Sequence, residues 1–281
     1  MCATCGCGSD EMMVDGEDVH AERLYEHTHD HPHDALHAHE NDHAHPGEHG
    51  RHHHHDAPIA HARTVSLEQD ILAKNQLLAE RNRDWFAGRE VFAVNLMSSP
   101  GAGKTSILER TIGDLREEMP ISVLEGDQAT STDAERIRAT GATVVQINTG
   151  TGCHLDAHMV AHGVERLNLS RGTMLLIENV GNLVCPALFD LGEHVRVVVV
   201  SVTEGDDKPL KYPHMFSSGQ MLLINKLDLL PYVRFDVARC IDRARQINPE
   251  LQVLTLSAET GEGMRNWYDW LRARRPPGAH E

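Results

Sequence analysis

The residues able to do chemistry in this chain cluster where short apolar runs end. Ser98-Ser99-Pro100-Gly101-Ala102-Gly103-Lys104-Thr105 follows the apolar run from Val91 to Met97 and leads into a helical pattern that continues to Leu115. A strand, a Gly-rich turn and a helix in that order are the context a phosphate-binding loop requires, with an ordinary Gly-rich turn as the alternative. The backbone of Gly101, Ala102, Gly103, Lys104, Thr105 and Ser106 would then surround an anion at a helix N-terminus. Lys104 would reach the terminal phosphates, and the Thr105 hydroxyl would ligate Mg2+. Ser98 stands where the pattern G-x-x-x-x-G-K-[ST] has its first Gly, so the match needs support elsewhere in the chain.

That support comes from Asn225-Lys226-Leu227-Asp228, which directly follows the apolar run Met221 to Ile224. A carboxylate such as Asp228 accepts hydrogen bonds from both N1–H and the 2-amino group of guanine, and adenine offers neither donor. Lys226 would lie along the base, and Asn225 would tie neighbouring segments together. Ser257-Ala258, after the last apolar run, would support the base from a second loop. GTP and GDP are therefore the expected ligands. Glu178 ends another apolar run and precedes Asn179-Val180-Gly181, which places its carboxylate to hold Mg2+ and Gly181 to offer an N–H to the γ-phosphate. Asp127, shortly after Ile121 to Glu125, is a second candidate for the metal shell. Lys104, Asp127 and Glu178 are thus the candidate catalytic groups. No residue stands out as a general base, and phosphoryl transfer that relies on positioning and charge alone is expected to be slow without a partner.

Three further residues offer softer ligands. Cys153-His154 follows Asn148-Thr149-Gly150-Thr151-Gly152, and Cys185 lies seven residues beyond Glu178. Two thiolates and an imidazole suit Zn2+ or Ni2+ with one position left open, and a two-fold dimer would add ligands across its interface. Cys240 reads as a small buried hydrophobe on a helix. At the N-terminus Cys2, Cys5 and Cys7 place three thiolates within six residues, which suits Zn2+, Ni2+ or Cu+ better than an iron–sulfur cluster. Residues 1–61 also hold 15 of the 21 His, with 13 acidic and 2 basic residues. Such a low-complexity tract cannot bury a core, so it reads as disordered and able to bind several metal ions, as a reservoir or as a solvated linker.

The elements that must position these groups follow from periodicity. Residues 91–275 alternate strand-length apolar runs with helical patterns, the signature of an α/β fold with a mostly parallel central sheet. In such sheets ligands sit beyond the carboxyl ends of the strands, where the candidate residues fall. Ser66 with Gln69 reads as a capping box opening an amphipathic helix with Leu67, Ile71, Leu78 and Trp85 on one face and Gly88 as its stop. The predicted organisation is a CxxCxC terminus (1–8), a His-rich tract (9–62) and a P-loop domain with its leading helix (63–281). A net charge of -16 argues against nucleic acid and anionic membranes as partners. The absence of a signal-like or spanning segment and the sparse, clustered cysteines point to a cytoplasmic protein.

Taken together, MCATCGCG, the His-rich insert, SSPGAGKT, EGDQAT, NTGTGCHLDA, IENVGNLVCP, EGDDKPLKYP, NKLDLLP and SAETGEG resemble the hydrogenase nickel-incorporation GTPases, the HypB family, over nearly the whole chain. The resemblance implies a P-loop NTPase of the signal-recognition-like class that dimerises on GTP and hydrolyses it slowly. It implies delivery of Ni2+ to the large subunit of a [NiFe]-hydrogenase, with the small zinc- and nickel-binding protein HypA as partner. By position it makes Cys2, Cys5 and Cys7 a tight nickel site and Cys153, His154 and Cys185 the metal site of the GTPase domain. Lys104, Thr105, Asp127 and Glu178 fall to phosphate and Mg2+, and Asn225 and Asp228 to guanine. The nearest rival, a urease accessory GTPase, usually carries a C-P-H motif that Gly152-Cys153-His154 lacks. A passive nickel store is the rival from a different class.

Overall fold

The structure, a computed structural model, describes residues 13–14, 17–18, 57–128 and 132–274. Cys2, Cys5, Cys7 and nearly all of the His-rich tract lie outside the described residues. In chain order the elements are β1 (Met13–Val14), β2 (Glu17–Asp18), α1 (Ala57–Gly88), β3 (Phe92–Ser98), α2 (Lys104–Leu115), β4 (Ile121–Asp127), α3 (Thr132–Ala139), β5 (Thr143–Asn148) and α4 (Ala157–Leu167). There follow β6 (Met174–Glu178), β7 (Val195–Ser201), α5 (Lys208–Lys211), α6 (Pro213–Ser218), β8 (Met221–Asn225), α7 (Val237–Ile247), β9 (Gln252–Thr255) and α8 (Met264–Arg272), with 3-10 turns at Cys185–Ala187 and Leu227–Tyr232.

The strands form one sheet in the order β2-β1-β5-β4-β6-β3-β7-β8-β9. From β5 to β9 every pairing is parallel. Parallel strands need both faces covered, and the sequence supplies that by being apolar on both. Side chains alternate across the sheet, so Val94 and Leu96 join Ile107, Leu108 and Ile112 of α2 and Trp267 of α8 on one face. On the other, Ala93, Leu124 and Ile147 meet Phe86 of α1 and Val160 and Val164 of α4, while Met97, Val198 and Val200 meet Phe216 and Cys240. The run Val197 to Val200 is fully buried, as a strand covered on both faces requires.

Two N-terminal features differ from expectation. The leading helix begins at Ala57 and runs through Ser66 and Gln69, so these do not cap its start. Pro58 in the first turn costs no hydrogen bond there, and no breaker separates it from Ser66. The face α1 turns inward is also not the expected one: Ile71 is exposed, Leu78 and Trp85 are half-buried, and Asn75, Ala79, Asn82 and Phe86 are buried. Asn75 donates to the Asp190 carbonyl (2.7 Å) and accepts from the Ala157 N–H (2.9 Å). Asn82 donates to the carbonyls of Ala157 (2.8 Å) and Leu191 (2.9 Å). Hydrophobic periodicity misses a seat made by amides. Secondly, β1 pairs antiparallel with β5, Met13 opposite Asn148 and Val14 opposite Ile147, inside the stretch 9–62 expected to lack structure. Met13 and Val14 form a pair too short to register as a strand in the sequence.

Gly163 lets α4 lie close against the sheet: a methyl there would land on Leu124 Cδ1 and press Ile147 Cδ1. Both side chains are fully buried, so making room for the methyl means repacking the core around them. Gly163→Ala is therefore expected to destabilise the domain by about 1–3 kcal/mol despite the better helix propensity of alanine, read as a lower midpoint in chemical denaturation.

Candidate functional site

The phosphate loop leaves the centre of the sheet at Ser98 and enters α2 at Lys104. Gly103 caps α2 with φ 95°, a left-handed conformation that side chains rarely adopt, and a Cβ there would stand 2.5 Å from Asn225 Nδ2. Both facts require glycine. Lys104 is buried and donates from Nζ to Ser98 Oγ at 2.8 Å, while Ser98 donates to the Ser99 carbonyl at 2.6 Å. The residue that broke the loop consensus thus parks the lysine ammonium. Thr105 Oγ1 donates to Glu178 Oε1 at 2.8 Å, which brings two of the proposed Mg2+ ligands together.

A cavity of about 460 Å³ opens in front of the loop. Gly101, Gly103, Lys104, Thr105, Ser106, Asp127, Glu178, Gly181 and Lys226 line it, all singled out in the sequence. Glu125, Asp133 and Arg136 line it as well, and sequence reasoning missed them. Arg136 is held by Glu109 and Asp133 and reaches Ser106 Oγ at 3.3 Å. Asp127 accepts at Oδ1 from the Gln128 N–H at 2.8 Å.

Burial dominates the electrostatics of this cavity. It lowers the Lys104 pKa despite the opposing pull of Glu178. Burial raises Glu178 to about 7, against the effects of Lys104 and the Thr105 hydrogen bond. Glu125 is pushed up to about 9 by burial, then by the nearby charges of Glu178, Asp127 and Asp133. Among the described residues, Glu125 Oε2 and Glu178 Oε2 are the buried side-chain atoms without a hydrogen-bond partner. Two orphaned carboxylate oxygens in one cavity fit a hard divalent cation, which takes oxygen ligands.

The Asn225–Asp228 loop is stitched to the phosphate loop. Asn225 donates to the Ala102 carbonyl (3.0 Å) and accepts from the Ala258 N–H (3.1 Å), joining three segments through one buried amide. Lys226, at φ 65°, donates from Nζ to the Gly101 carbonyl at 2.7 Å. The Ser257 hydroxyl donates to the Asp228 carboxylate and holds it in place.

At the same edge of the sheet the ligand atoms of Cys153, His154 and Cys185 all lie within 4.8 Å of one another. The two sulfurs are 3.0 Å apart, and Cys153 Sγ is 3.8 Å from His154 Nδ1. The His154 ring stacks on Phe189 with centroids 3.9 Å apart. Burial lowers the His154 pKa, against the opposing charge of Asp156, which favours the neutral, metal-binding imidazole. Cys240 lies in the core, far from this chemistry in character: burial pushes its thiol up to about 12.

Asn179, whose role sequence reasoning also missed, stands between the two centres. It follows Glu178 directly, accepts at Oδ1 from the N–H of Leu155 (3.1 Å) and Val180 (3.0 Å), and donates to Asn95 Oδ1 at 3.3 Å. Leu155 adjoins His154, so one buried side chain touches the backbone of both the carboxylate segment and the thiolate loop. Its signal was the unbroken E-N-V-G, in which only Glu178 and Gly181 had evident chemistry.

A protein-family model described as the CobW/HypB/UreG nucleotide-binding domain matches residues 92–255, the sheet and its loops. The hydrogenase maturation factor HypB of Escherichia coli K12 is 47% identical over 288 residues, covering 98% of this chain and 99% of its own length. The HypB of Rhizobium leguminosarum bv. viciae is 60% identical over 209 residues, 74% of this chain and 70% of that one. Among solved structures, HypB of Archaeoglobus fulgidus (43% identity, TM-score 0.67) covers 72% of this chain and 98% of its own. HypB of Helicobacter pylori in complex with nickel (34% identity, TM-score 0.67) covers 73% and 98%. The fold is that of a P-loop nucleoside triphosphatase, and the matching model describes a nucleotide-binding domain. On family match, full-length identity and fold, the chain belongs to the HypB family of hydrogenase maturation factors.

Proposed function

We propose that this protein is a GTP-hydrolysing nickel metallochaperone acting in [NiFe]-hydrogenase maturation. GTP is held by the phosphate loop and read by Asp228, and Mg2+ is held by Thr105, Asp127 and Glu178. When bound, the cation neutralises charge on the transferred phosphoryl group. Lys104 leaves Ser98 for the phosphates, and Gly181 follows the γ-phosphate. Nickel is the cargo. Cys153, His154 and Cys185 receive it, a donor set that also takes Zn2+.

The observation that carries this reading is the seven-residue path from Glu178 to Cys185, braced by the Asn179 hydrogen bond to Leu155 beside His154. A displacement of Glu178 on loss of the γ-phosphate alters the spacing of the thiolates, which couples metal affinity to nucleotide state. The organisation expected from the sequence completes the proposal: Cys2, Cys5 and Cys7 as a nickel site in residues 1–8, nickel storage by the tract 9–62, and the GTPase domain from 63 to 281. The resemblance adds a GTP-dependent homodimer, a HypA-type partner, the hydrogenase large subunit as recipient and a cytoplasmic location. Among the described residues no helix is long and apolar enough to cross a membrane.

The test uses the full chain with Cys2, Cys5 and Cys7 replaced by serine, so that nickel–thiolate absorption reports Cys153 and Cys185 alone. Titration with Ni2+ in GDP and in a non-hydrolysable GTP analogue is expected to give affinities at least about 5-fold apart. Equal affinities would leave a GTPase and a metal site with no link, and would favour the passive store.

A further inference from the structure

The strand β4 carries Glu125 directly opposite Glu178 of β6: the two are register partners on adjacent parallel strands. Partners in register send their side chains to the same face, about 4.8 Å apart along the hydrogen-bonding direction. Both are deeply buried, with 2% of Glu125 and 4% of Glu178 exposed, and each leaves one oxygen without a partner. Both face the phosphate cavity. Like charges directly opposite one another destabilise a sheet, and burying them multiplies the cost. Lys104 is the nearest buried cation, and its hydrogen bond goes to Ser98 rather than to either carboxylate. Asp127 and Asp133 add further negative charge to the same cavity. A site of this composition is incomplete as it stands.

We propose that Glu125 is a ligand of the divalent cation that accompanies the nucleotide, acting as a pair with Glu178 across β4 and β6. The proposal rests on the reading of the cavity as a site for a nucleotide with Mg2+, and it adds to that site a carboxylate more deeply buried than Asp127. The two orphaned oxygens face one hard cation together with the Thr105 hydroxyl that already touches Glu178. Glu125 is then a functional residue whose burial is tolerated because the cation satisfies it. The competing account is a carboxyl that keeps its proton, shares it with Glu178 and never meets the metal.

The two accounts separate in a measurement that needs no turnover. Affinity of the full-length protein for a fluorescent, non-hydrolysable GTP analogue is measured with Mg2+ and with EDTA, and the ratio gives the contribution of the cation. Glu125→Gln is expected to cut that ratio at least about tenfold, with the affinity in EDTA unchanged, because without the cation the buried carboxyl keeps its proton and glutamine matches it in size and charge. An unchanged ratio would overturn the proposal and leave the proton-sharing pair. Glu125→Asp keeps a carboxylate one methylene short and is expected to give an intermediate ratio. That variant decides the matter if the glutamine form does not fold, since a wild-type ratio in Glu125→Asp would also count against metal ligation. A wild-type protein that binds the analogue equally well with and without Mg2+ would instead sink the reading of the cavity as a nucleotide–Mg2+ site, and the proposal with it.

Discussion

Asp228→Asn is expected to weaken GTP binding at least about 100-fold and to make xanthosine triphosphate the preferred ligand, measured by competition against a fluorescent nucleotide. In the proposed function the carboxylate accepts from two guanine donors, and a hydrogen bond to a charged group contributes about 1.5–3 kcal/mol. Asparagine replaces one acceptor by an NH2 that faces the guanine 2-amino group, donor against donor. Xanthine carries a carbonyl at that position and accepts from the new amide. The fold should survive the change, because the amide oxygen can still accept from the Ser257 hydroxyl that now holds Asp228. The Asn225 contacts to Ala102 and Ala258 do not involve Asp228 at all. A variant with wild-type GTP affinity would remove Asp228 from the base site.

The nucleotide-free protein is expected to lose thermal stability between pH 6 and pH 9, and Mg2+ with nucleotide should flatten that slope. Glu178, raised to about 7, and Glu125, raised to about 9, hold protons in the folded state that the unfolded chain has released above its ordinary carboxyl pKa of 4.5. The folded state therefore binds more protons than the unfolded state across this window, and stability falls as pH rises. Their contribution is fully present below the unfolded pKa and is lost through the folded values. Lys104, whose pKa burial lowers, contributes in the opposite sense on the alkaline side. Glu178 contributes to this slope only up to about pH 7 and Glu125 up to about pH 9, so the loss between pH 6 and pH 9 comes mainly from Glu125 and amounts to several degrees in a domain of this size. Lys104 and the histidines whose pKa desolvation lowers act against this slope, so a melting temperature that rose from pH 6 to pH 9 would count against protons held by the two glutamates in the folded state.

How much of this was legible depends on whether the chemistry lay in a motif or in register. The parallel sheet was written in its strand-length apolar runs, and Ser98 to Thr105 and Asn225 to Asp228 stand where a strand, a turn and a helix must put them. Cys153, His154 and Cys185 could be brought together because each followed a strand end on one side of the sheet. Glu125 was hidden because the strand was expected to stop there, whereas β4 runs on to Asp127 and turns Glu125 into a cross-strand neighbour of Glu178. Pairing register belongs to the fold, not to any local pattern. The seat of α1 was misread for a related reason: Asn75 and Asn82 bond to backbone carbonyls more than seventy residues away, and no periodicity of apolar residues announces such contacts.

The central position of β3 has a consequence for synthesis. Its neighbours in the sheet are β6 and β7, whose last residues are Glu178 and Ser201, and the amide that braces its loop belongs to Asn225. The strand that presents the phosphate loop therefore leaves the ribosome with no partner on either edge. At about 5–20 residues per second, the 123 positions between Ala102 and Asn225 take roughly 6–25 s to emerge. β6 and β7 are complete before Asn225 emerges, so the sheet around β3 can form while the loop still lacks the amide that braces it.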